Sequence, residues 1–280
     1  MPELPEVETV KNGIIPLLAG RRLVQVIQRR DKLRIPLPDN FAERLRGRRI
    51  EQITRRAKYL LFHLDEAEIL ICHLGMSGKM TLVAAKDRLT PDEFEKHDHI
   101  ILESDRHDLV IFNDPRRFGL MTLCPAEELD QHALFRHMGP EPLGNEFNGD
   151  YLRNKVKKRR SPIKSLLLNQ RVVVGLGNIY VCEALFLAGI SPEKKACDLS
   201  DNEVENLVPI IRDVLQRAIE AGGSTLKDYA HVDGELGYFQ HEFRVYGRAG
   251  EACLKAGCGG EITRIIQSNR STFYCPRCQD

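Results

Sequence analysis

The sequence lacks several features that would define a protein class at once. No apolar run approaches the roughly 20 residues needed to span a bilayer. The first ten residues, MPELPEVETV, lack the basic and then apolar layout of a signal peptide. There is no internal repeat and no low-complexity tract. We therefore expect a cytoplasmic protein without a membrane partner, whose thiols stay reduced. A length of 280 residues fits one large domain or two ordinary ones.

The chain also has almost no excess charge, since its formal net charge is +1. The basic residues are nevertheless concentrated in two stretches. Between Arg21 and Lys58 thirteen Lys or Arg face four acids, and Tyr151 to Cys182 holds eight basic residues and no acid. Either stretch alone could be a solvated charged face. Two such stretches in a neutral chain favour a cleft that binds a phosphate backbone.

The N-terminal half has the pattern of an antiparallel β-sandwich or barrel. Short β-prone runs (YLLFHL, EILICHLG, KMTLVAA, HIILES and DLVIFND) alternate with charged or turn-forming pieces. An amphipathic helix precedes them, with Pro5 in its first turn and Val7, Val10 and Ile14 on one face.

The C-terminal half changes to helical spacing. Val204 to Ile219 repeats apolar residues with a helical period and ends at Gly222-Gly223, a C-cap signal. Two shorter helices, 162–168 and 178–188, flank the turn VVVGLG and predict a helix–two-turn–helix motif. The Pro, Gly and Asn residues of MGPEPLGNEF indicate a linker.

Four of the eight cysteines have the spacing of a zinc ribbon. Cys253-x4-Cys258-x16-Cys275-x2-Cys278 can surround one Zn²⁺ with four thiolates, which makes a closed, structural site. Unrelated cysteines, or a redox pair at Cys275 and Cys278, are the alternatives. The intervening residues alternate as in a β-hairpin, with Ser268, Asn269 and Arg270 at the turn. An Arg at a hairpin tip suits a DNA minor groove.

These patterns predict an α+β protein of two domains. The N-terminal domain, 1–140, is an antiparallel β-sandwich with flanking helices. The C-terminal part combines a helical helix–two-turn–helix domain, 148–240, with a zinc-ribbon β-hairpin, 241–280.

The N-terminus could be reactive. Pro2 becomes a secondary amine if Met1 is removed, and an α-amino group with a pKa of about 7.7–8.0 is partly neutral and nucleophilic at cellular pH. Glu3 lies beside it. From residue types alone, however, Pro and Glu near a helix start are ordinary.

The whole set of motifs resembles the bacterial formamidopyrimidine-DNA glycosylase family. It comprises PELPEVET, AKYLLF, HLGMSG, KHDH, NDPRRFG, GPEPL, VGLGNIY, GYFQHEFRVYGR and the four-cysteine ribbon, in order along the chain. The resemblance implies a bifunctional glycosylase and abasic-site lyase of base-excision repair. Such an enzyme removes 8-oxoguanine and formamidopyrimidines from damaged double-stranded DNA.

The resemblance also implies a role for individual residues. Pro2 is the nucleophile that forms a Schiff base, Glu3 the general acid–base, Lys58 the lysine of β-elimination and Arg270 the phosphate-gripping arginine of δ-elimination. The positions that would touch DNA are His97, Arg116, Arg159, Lys164 and Asn178. Met76, Arg116 and Phe118 match the residues that fill the vacancy left by a flipped base, and 232–239 matches a loop closing over that base.

Two further readings stay open. Endonuclease VIII shares the mechanism but prefers oxidised pyrimidines. Its members typically open with PEGPE and lack the HLGMSG and NDPRRFG forms, so Leu4, Met76 and Phe118 favour the purine branch. A non-catalytic zinc-ribbon protein that binds damaged DNA is the second.

One position departs from the family pattern: Asn169 stands where the family has Asp in many members. We expect one structural Zn²⁺, a monomer, and a bacterial, nucleoid-associated location.

Overall fold

The computed structural model describes residues 1–224 and 239–280 of the chain. The fold divides into two compact units. The first contains Met1–Arg136 with residues 221–224, and the second contains His137–Glu220 and Phe239–Asp280. Each is described by itself below.

The first unit begins with helix α1, Leu4–Leu18. Its N-cap is Glu3, and the Glu6 side chain accepts a hydrogen bond from the Glu3 backbone N–H at 2.8 Å, as in a capping box. Pro5 fits the first turn because its missing N–H has no helical partner there. The predicted face, with Val7, Val10 and Ile14, is buried. Packing of this face fixes the start of the chain against the strands.

Two antiparallel four-stranded sheets form the body of the first unit. In chain order the strands are β1 Leu23–Gln28, β2 Ile50–Arg56, β3 Tyr59–Leu64, β4 Glu68–His73, β5 Lys79–Val83, β6 Asp98–Ser104, β7 Leu109–Asn113 and β8 Leu120–Pro125; helix α2, Phe41–Leu45, follows β1. One sheet has the order β1-β6-β7-β5 and the other β2-β3-β4-β8.

A single apolar cluster joins both sheets and α1. It takes alternate side chains from each sheet, such as Phe62 and Leu70 from one and Ile100 and Phe112 from the other. Burying one face of each sheet against the other is the defining feature of a β-sandwich. The sandwich prediction is thus confirmed.

The second unit is helical and carries one hairpin. Its helices are α3 Gly149–Val156, α4 Ile163–Leu167, α5 Asn178–Ala188 and α6 Asp201–Glu220. Helices α4 and α5 flank residues 168–177 as the helix–two-turn–helix pattern predicts. The apolar face of α6, from Val204 to Ala218, is buried.

The hairpin consists of β9, Thr263–Gln267, and β10, Arg270–Tyr274. Ser268 and Asn269 form its turn with φ of 49° and 59°, the backbone that a two-residue hairpin turn requires. Arg270 is therefore the first residue of β10, paired with Gln267, rather than a residue of the turn itself.

A buried carboxylate ties α5 to the segment before the hairpin. Glu183 accepts hydrogen bonds from three consecutive backbone N–H groups, those of residues 244–246, at 2.8–3.0 Å. Three donors on one carboxylate hold residues 244–246 against α5.

Among the described helices, none is both long and apolar enough to cross a membrane.

Candidate nucleic-acid site

The predicted nucleophile lies at the start of α1. Pro2 is buried, directly before the N-cap Glu3, and Met1 remains exposed in front of it. The Glu3 side chain is also buried. The proline nitrogen is a peptide nitrogen as long as Met1 is present, so the amine exists only after Met1 is removed.

Glu6, which sequence reasoning placed only near the helix start, links α1 to a distant segment. Its Oε1 accepts hydrogen bonds from the backbone N–H and the hydroxyl of Ser224, both at 2.9 Å. A side chain at Gly223 would crowd Glu6, since an added Cβ would lie 3.2 Å from its Cγ. The start of α1 and residues 223–224 are thus held together within the first unit.

Lys58 lies at the tight turn between β2 and β3, next to Ala57 at φ 56°. It is buried. Across the sheet, Tyr59 pairs with His73, and the two rings are 4.7 Å apart. Burial, and after it the charges of Lys58 and Arg34, lower the pKa of His73 to about 4. His73 is therefore neutral near pH 7.

His73 was missed as a site residue, although it belongs to the HLGMSG motif. Its Nδ1 accepts a hydrogen bond from the Gly75 N–H at 2.9 Å. A neutral imidazole that accepts at Nδ1 carries its proton on Nε2. His73 therefore shapes the turn before Met76 and carries its proton on Nε2.

The three predicted void-filling residues lie on two adjacent loops of the first unit. Met76 and Phe118 are exposed by 41% and 43%, so they are not core residues. The Arg116 guanidinium carbon lies 5.0 Å from the centre of the Phe118 ring, within cation–π range. Two exposed apolar side chains and a stacked arginine form a protruding probe.

A strongly cationic cavity of about 890 Å³ adjoins this probe. Phe118 lines this cavity together with seven cationic side chains and two carboxylates. The cations are Arg29, Arg30, Lys32, Arg34, Lys96, Arg116 and Arg117, and the carboxylates are Asp31 and Asp98. Within the described part of the chain, none of the seven forms an ion pair with an acid. His97 lies nearby, its ring 6.2 Å from that of His99.

In the second unit, the helix–two-turn–helix motif contacts the hairpin. Lys164 is buried, and its Nζ donates to the Thr272 hydroxyl at 2.6 Å. The Asn178 amide donates to the Ser271 carbonyl at 2.7 Å. Both predicted DNA contacts thus hold β10 directly after Arg270, which is itself exposed.

Asn178 also has a buried amide oxygen, Oδ1, that accepts no hydrogen bond from the residues described here. Arg159 is exposed after α3 and lines a second cationic cavity with Lys155, Lys157 and Lys158. The predicted loop 232–239 lies outside the described residues except for Phe239, which is buried.

Asn169 lies in the turn between α4 and α5, at the position where the family resemblance predicts an aspartate. Its Oδ1 accepts a hydrogen bond from the Arg171 N–H at 3.0 Å. An amide oxygen serves this turn as a carboxylate oxygen would. The departure from the family pattern therefore leaves the turn between α4 and α5 intact.

The four predicted zinc ligands come together. The Sγ atoms of Cys253, Cys258, Cys275 and Cys278 all lie within 4.8 Å of one another. Cys253 and Cys278 are 3.8 Å apart and Cys258 and Cys275 3.6 Å, close to the roughly 3.8 Å edge of a tetrahedron with Zn–S bonds of about 2.3 Å. The donor set fits one structural Zn²⁺, and neither a cysteine pair alone nor scattered thiols explain it.

Comparison with known proteins places the chain in a class and then in a family. Residues 1–121 match the formamidopyrimidine-DNA glycosylase N-terminal domain, residues 138–230 the formamidopyrimidine-DNA glycosylase H2TH domain, and residues 250–280 a zinc finger found in FPG and IleRS. These three together define a DNA-repair glycosylase architecture. The chain belongs to the formamidopyrimidine-DNA glycosylase family.

Individual relatives agree over the full length. Formamidopyrimidine-DNA glycosylases of Dinoroseobacter shibae and Ruegeria pomeroyi are 54% and 53% identical to the chain, with 100% of each chain covered. The fold matches a Lactococcus lactis FPG mutant in complex with a Fapy-dG containing DNA, with a TM-score of 0.90, 36% identity and 100% of both chains covered. It also matches Lactococcus lactis Fpg bound to DNA containing an abasic site, with a TM-score of 0.89, 36% identity and 99% of both chains covered.

Proposed function

We propose that this chain excises oxidised purines, namely formamidopyrimidines and 8-oxoguanine, from double-stranded DNA and then cleaves the strand at the resulting abasic site. The exposed probe of Met76, Arg116 and Phe118 beside a cavity lined by seven cations carries the proposal. Unpaired cations in a common cavity repel one another, and a polyanion relieves that repulsion. Exposed apolar side chains at its edge suit insertion between stacked bases.

The chemistry starts at the Pro2 amine once Met1 is removed. The nitrogen attacks C1′ of the damaged nucleotide, the bond from C1′ to the base breaks, and the base leaves with the bonding electrons. Opening of the sugar ring gives an iminium joined to Pro2. Loss of a C2′ proton then expels the 3′ phosphate, and a second elimination expels the 5′ phosphate. Only an amine can form this iminium, since a hydroxyl cannot.

Other residues assist at the sugar and the phosphates. Glu3 acts as general acid–base at the sugar. Lys58 holds the sugar–phosphate and transfers a proton during β-elimination, from its buried position at the turn between β2 and β3. Arg270 grips a phosphate for δ-elimination from the exposed start of β10.

The remaining contacts hold and open the duplex. His97, Arg116, Arg159, Lys164 and Asn178 contact the DNA. Support comes for Arg116 and Arg159 from the cationic cavities that they line, and for Asn178 from its position at the first turn of α5. Met76 and Phe118 occupy the space of the extruded base, while Arg116 pairs with the base left opposite. Zn²⁺, held by the four cysteines, stabilises the hairpin that presents Arg270.

We also propose a three-part division into 1–140, 148–240 and 241–280, supported by the three family models. A monomer in the bacterial cytoplasm, associated with the nucleoid, suits an enzyme whose substrate is chromosomal DNA. Light scattering on the purified protein tests the monomer.

Borohydride trapping tests the proposed reaction. The enzyme should become covalently attached to 8-oxoguanine duplex and to abasic-site duplex. Attachment should disappear in Pro2→Gly and in protein that retains Met1, as shown by mass spectrometry, and should persist in part in Lys58→Ala. Absence of trapping by wild-type protein that has lost Met1 would overturn the proposed lyase activity. Preference for a thymine-glycol duplex over 8-oxoguanine paired with cytosine would assign the pyrimidine branch instead.

A further inference from the structure

A fully buried aspartate stands between the two loops that form the probe. Asp114 has no exposed surface. Its Oδ1 accepts a hydrogen bond from the Ser77 hydroxyl and its Oδ2 one from the Gly119 N–H, both at 2.8 Å. Ser77 directly follows Met76, and Gly119 directly follows Phe118. One carboxylate thus holds both loops, each one residue away from an exposed apolar side chain.

The backbone of Asp114 extends the same junction. Its carbonyl oxygen accepts hydrogen bonds from the Arg117 N–H at 3.2 Å and from the His99 ring at 2.9 Å. Its N–H donates to the His97 carbonyl at 3.0 Å. The aspartate is therefore fixed from β6 as well as from its own loop.

The two loops also touch through their backbones. Gly75 has φ of 71°, and a Cβ there would lie 2.4 Å from both the Gly119 nitrogen and the Phe118 carbonyl carbon. No side chain fits at Gly75 while this backbone stays in place, so the turn carrying Met76 and the loop carrying Phe118 are in close backbone contact. A shift of one loop must disturb the other.

We propose that Asp114 is a positioning residue that couples the Met76 turn and the Arg116–Phe118 loop into one rigid probe for displacing the damaged base. The inference rests on the proposed function, because the probe acts only on a stacked duplex. Unstacking a base step costs a few kcal/mol. Two independent loops would each be displaced when they push against a stacked base. Two loops that are hydrogen-bonded to the same buried carboxylate resist that displacement together. Asp114 does not touch the reacting atoms.

Comparing two reactions distinguishes a role of Asp114 in positioning the probe from a role in the chemical steps. Excision of 8-oxoguanine from a duplex needs the base to be displaced, while elimination at an abasic site in single-stranded DNA needs no displacement. Ser77→Ala removes only the hydroxyl that joins the Met76 turn to Asp114. We expect it to slow duplex excision about tenfold and to leave single-strand elimination within about twofold. Ser77→Thr keeps a hydroxyl and should restore excision.

Asp114→Asn tests the other oxygen. The amide retains one acceptor for two donors, so we expect a larger loss of duplex excision than in Ser77→Ala. Ser104→Ala is the matched control: it removes a buried serine hydroxyl that accepts from the backbone N–H groups of Arg106 and Asp108, in the same unit and away from the probe. Both reactions should be unchanged in it.

Hydrogen exchange in the free protein measures the coupling without any DNA. Ser77→Ala should speed amide exchange in both segments, 74–79 and 115–120, and Ser104→Ala in neither. Exchange that rises around Ser77 alone, or equal losses in the two reactions, would overturn the inference. A wild type inactive in both reactions would remove the proposed function, while the exchange result would still decide whether the loops are coupled.

Discussion

The Lys164 ammonium donates a hydrogen bond to the Thr272 hydroxyl at 2.6 Å, joining the helix–two-turn–helix motif to the second strand of the hairpin. The same hydroxyl donates to the Gln267 side chain at 2.8 Å, across the hairpin from it. Asn178 holds the neighbouring Ser271 carbonyl. The position of Arg270, two residues before Thr272, therefore depends on contacts inside the second unit as well as on the metal.

Replacing Thr272 by valine should destabilise this junction. The change keeps the shape but removes one hydroxyl, which accepts a hydrogen bond from the buried Lys164 ammonium and donates one to the partly buried Gln267 side chain. Hydrogen bonds to charged groups contribute about 1.5–3 kcal/mol, so the free energy of unfolding of the second unit should fall by about 2 kcal/mol. Denaturant unfolding measures it, and affinity for a lesion duplex at fixed salt should fall as well. Thr263→Val, at an exposed site on β9, should change stability by less than about 0.5 kcal/mol; equal effects would show that the junction adds nothing.

Removal of zinc should unfold the hairpin and release DNA. The ribbon has few apolar contacts of its own, and the four thiolates supply much of its folding free energy. A chelator should abolish lesion binding, while the first unit, with its two-sheet core, retains its circular dichroism. Cys258→Ser should reproduce the effect. Cys197→Ser, outside the cluster, should bind zinc and DNA as the wild type does, and DNA binding that survives chelation would contradict the role of the hairpin.

The sequence predicted the sandwich, the helical motif and the zinc ligands because each has a local signature. Strands β1, β2 and β8 escaped prediction. Five of the seven residues of β2 are polar, and a shift of register interrupts both β1 and β2, at Leu23/Gln25 and Ile50/Gln52. Such bulges break the alternation on which strand prediction depends. The link from Glu6 to Ser224 escaped for a different reason, since it joins residues 218 positions apart. Periodicity carries no information about such pairs.

Asn169 should be replaceable by aspartate at almost no cost. Either side chain offers an oxygen to the Arg171 N–H, so Asn169→Asp should leave the free energy of unfolding within about 0.5 kcal/mol. Asn169→Ala removes the acceptor and should cost about 1 kcal/mol. Thermal unfolding of the two variants in parallel measures the difference. An alanine variant as stable as the aspartate variant would show that the hydrogen bond does not support the turn.

The stability of the first unit should depend on pH through His73. Burial, with Lys58 and Arg34, lowers the pKa of this imidazole from 6.5 to about 4. Between those two values the unfolded chain binds a proton that the folded chain does not, so stability falls as the pH drops from 6.5 to 4 and is unaffected by this group above 6.5. The largest loss is about 3 kcal/mol. His73→Asn should remove this part of the pH dependence, because the asparagine oxygen can accept from the Gly75 N–H but does not titrate.

His132→Asn is the matched control for this prediction. The His132 ring makes the same contact with the N–H two residues on, that of Leu134, at 3.2 Å. Urea unfolding at a series of pH values should give a wild-type slope that His132→Asn keeps and His73→Asn loses; parallel slopes in all three proteins would show that His73 is not held neutral.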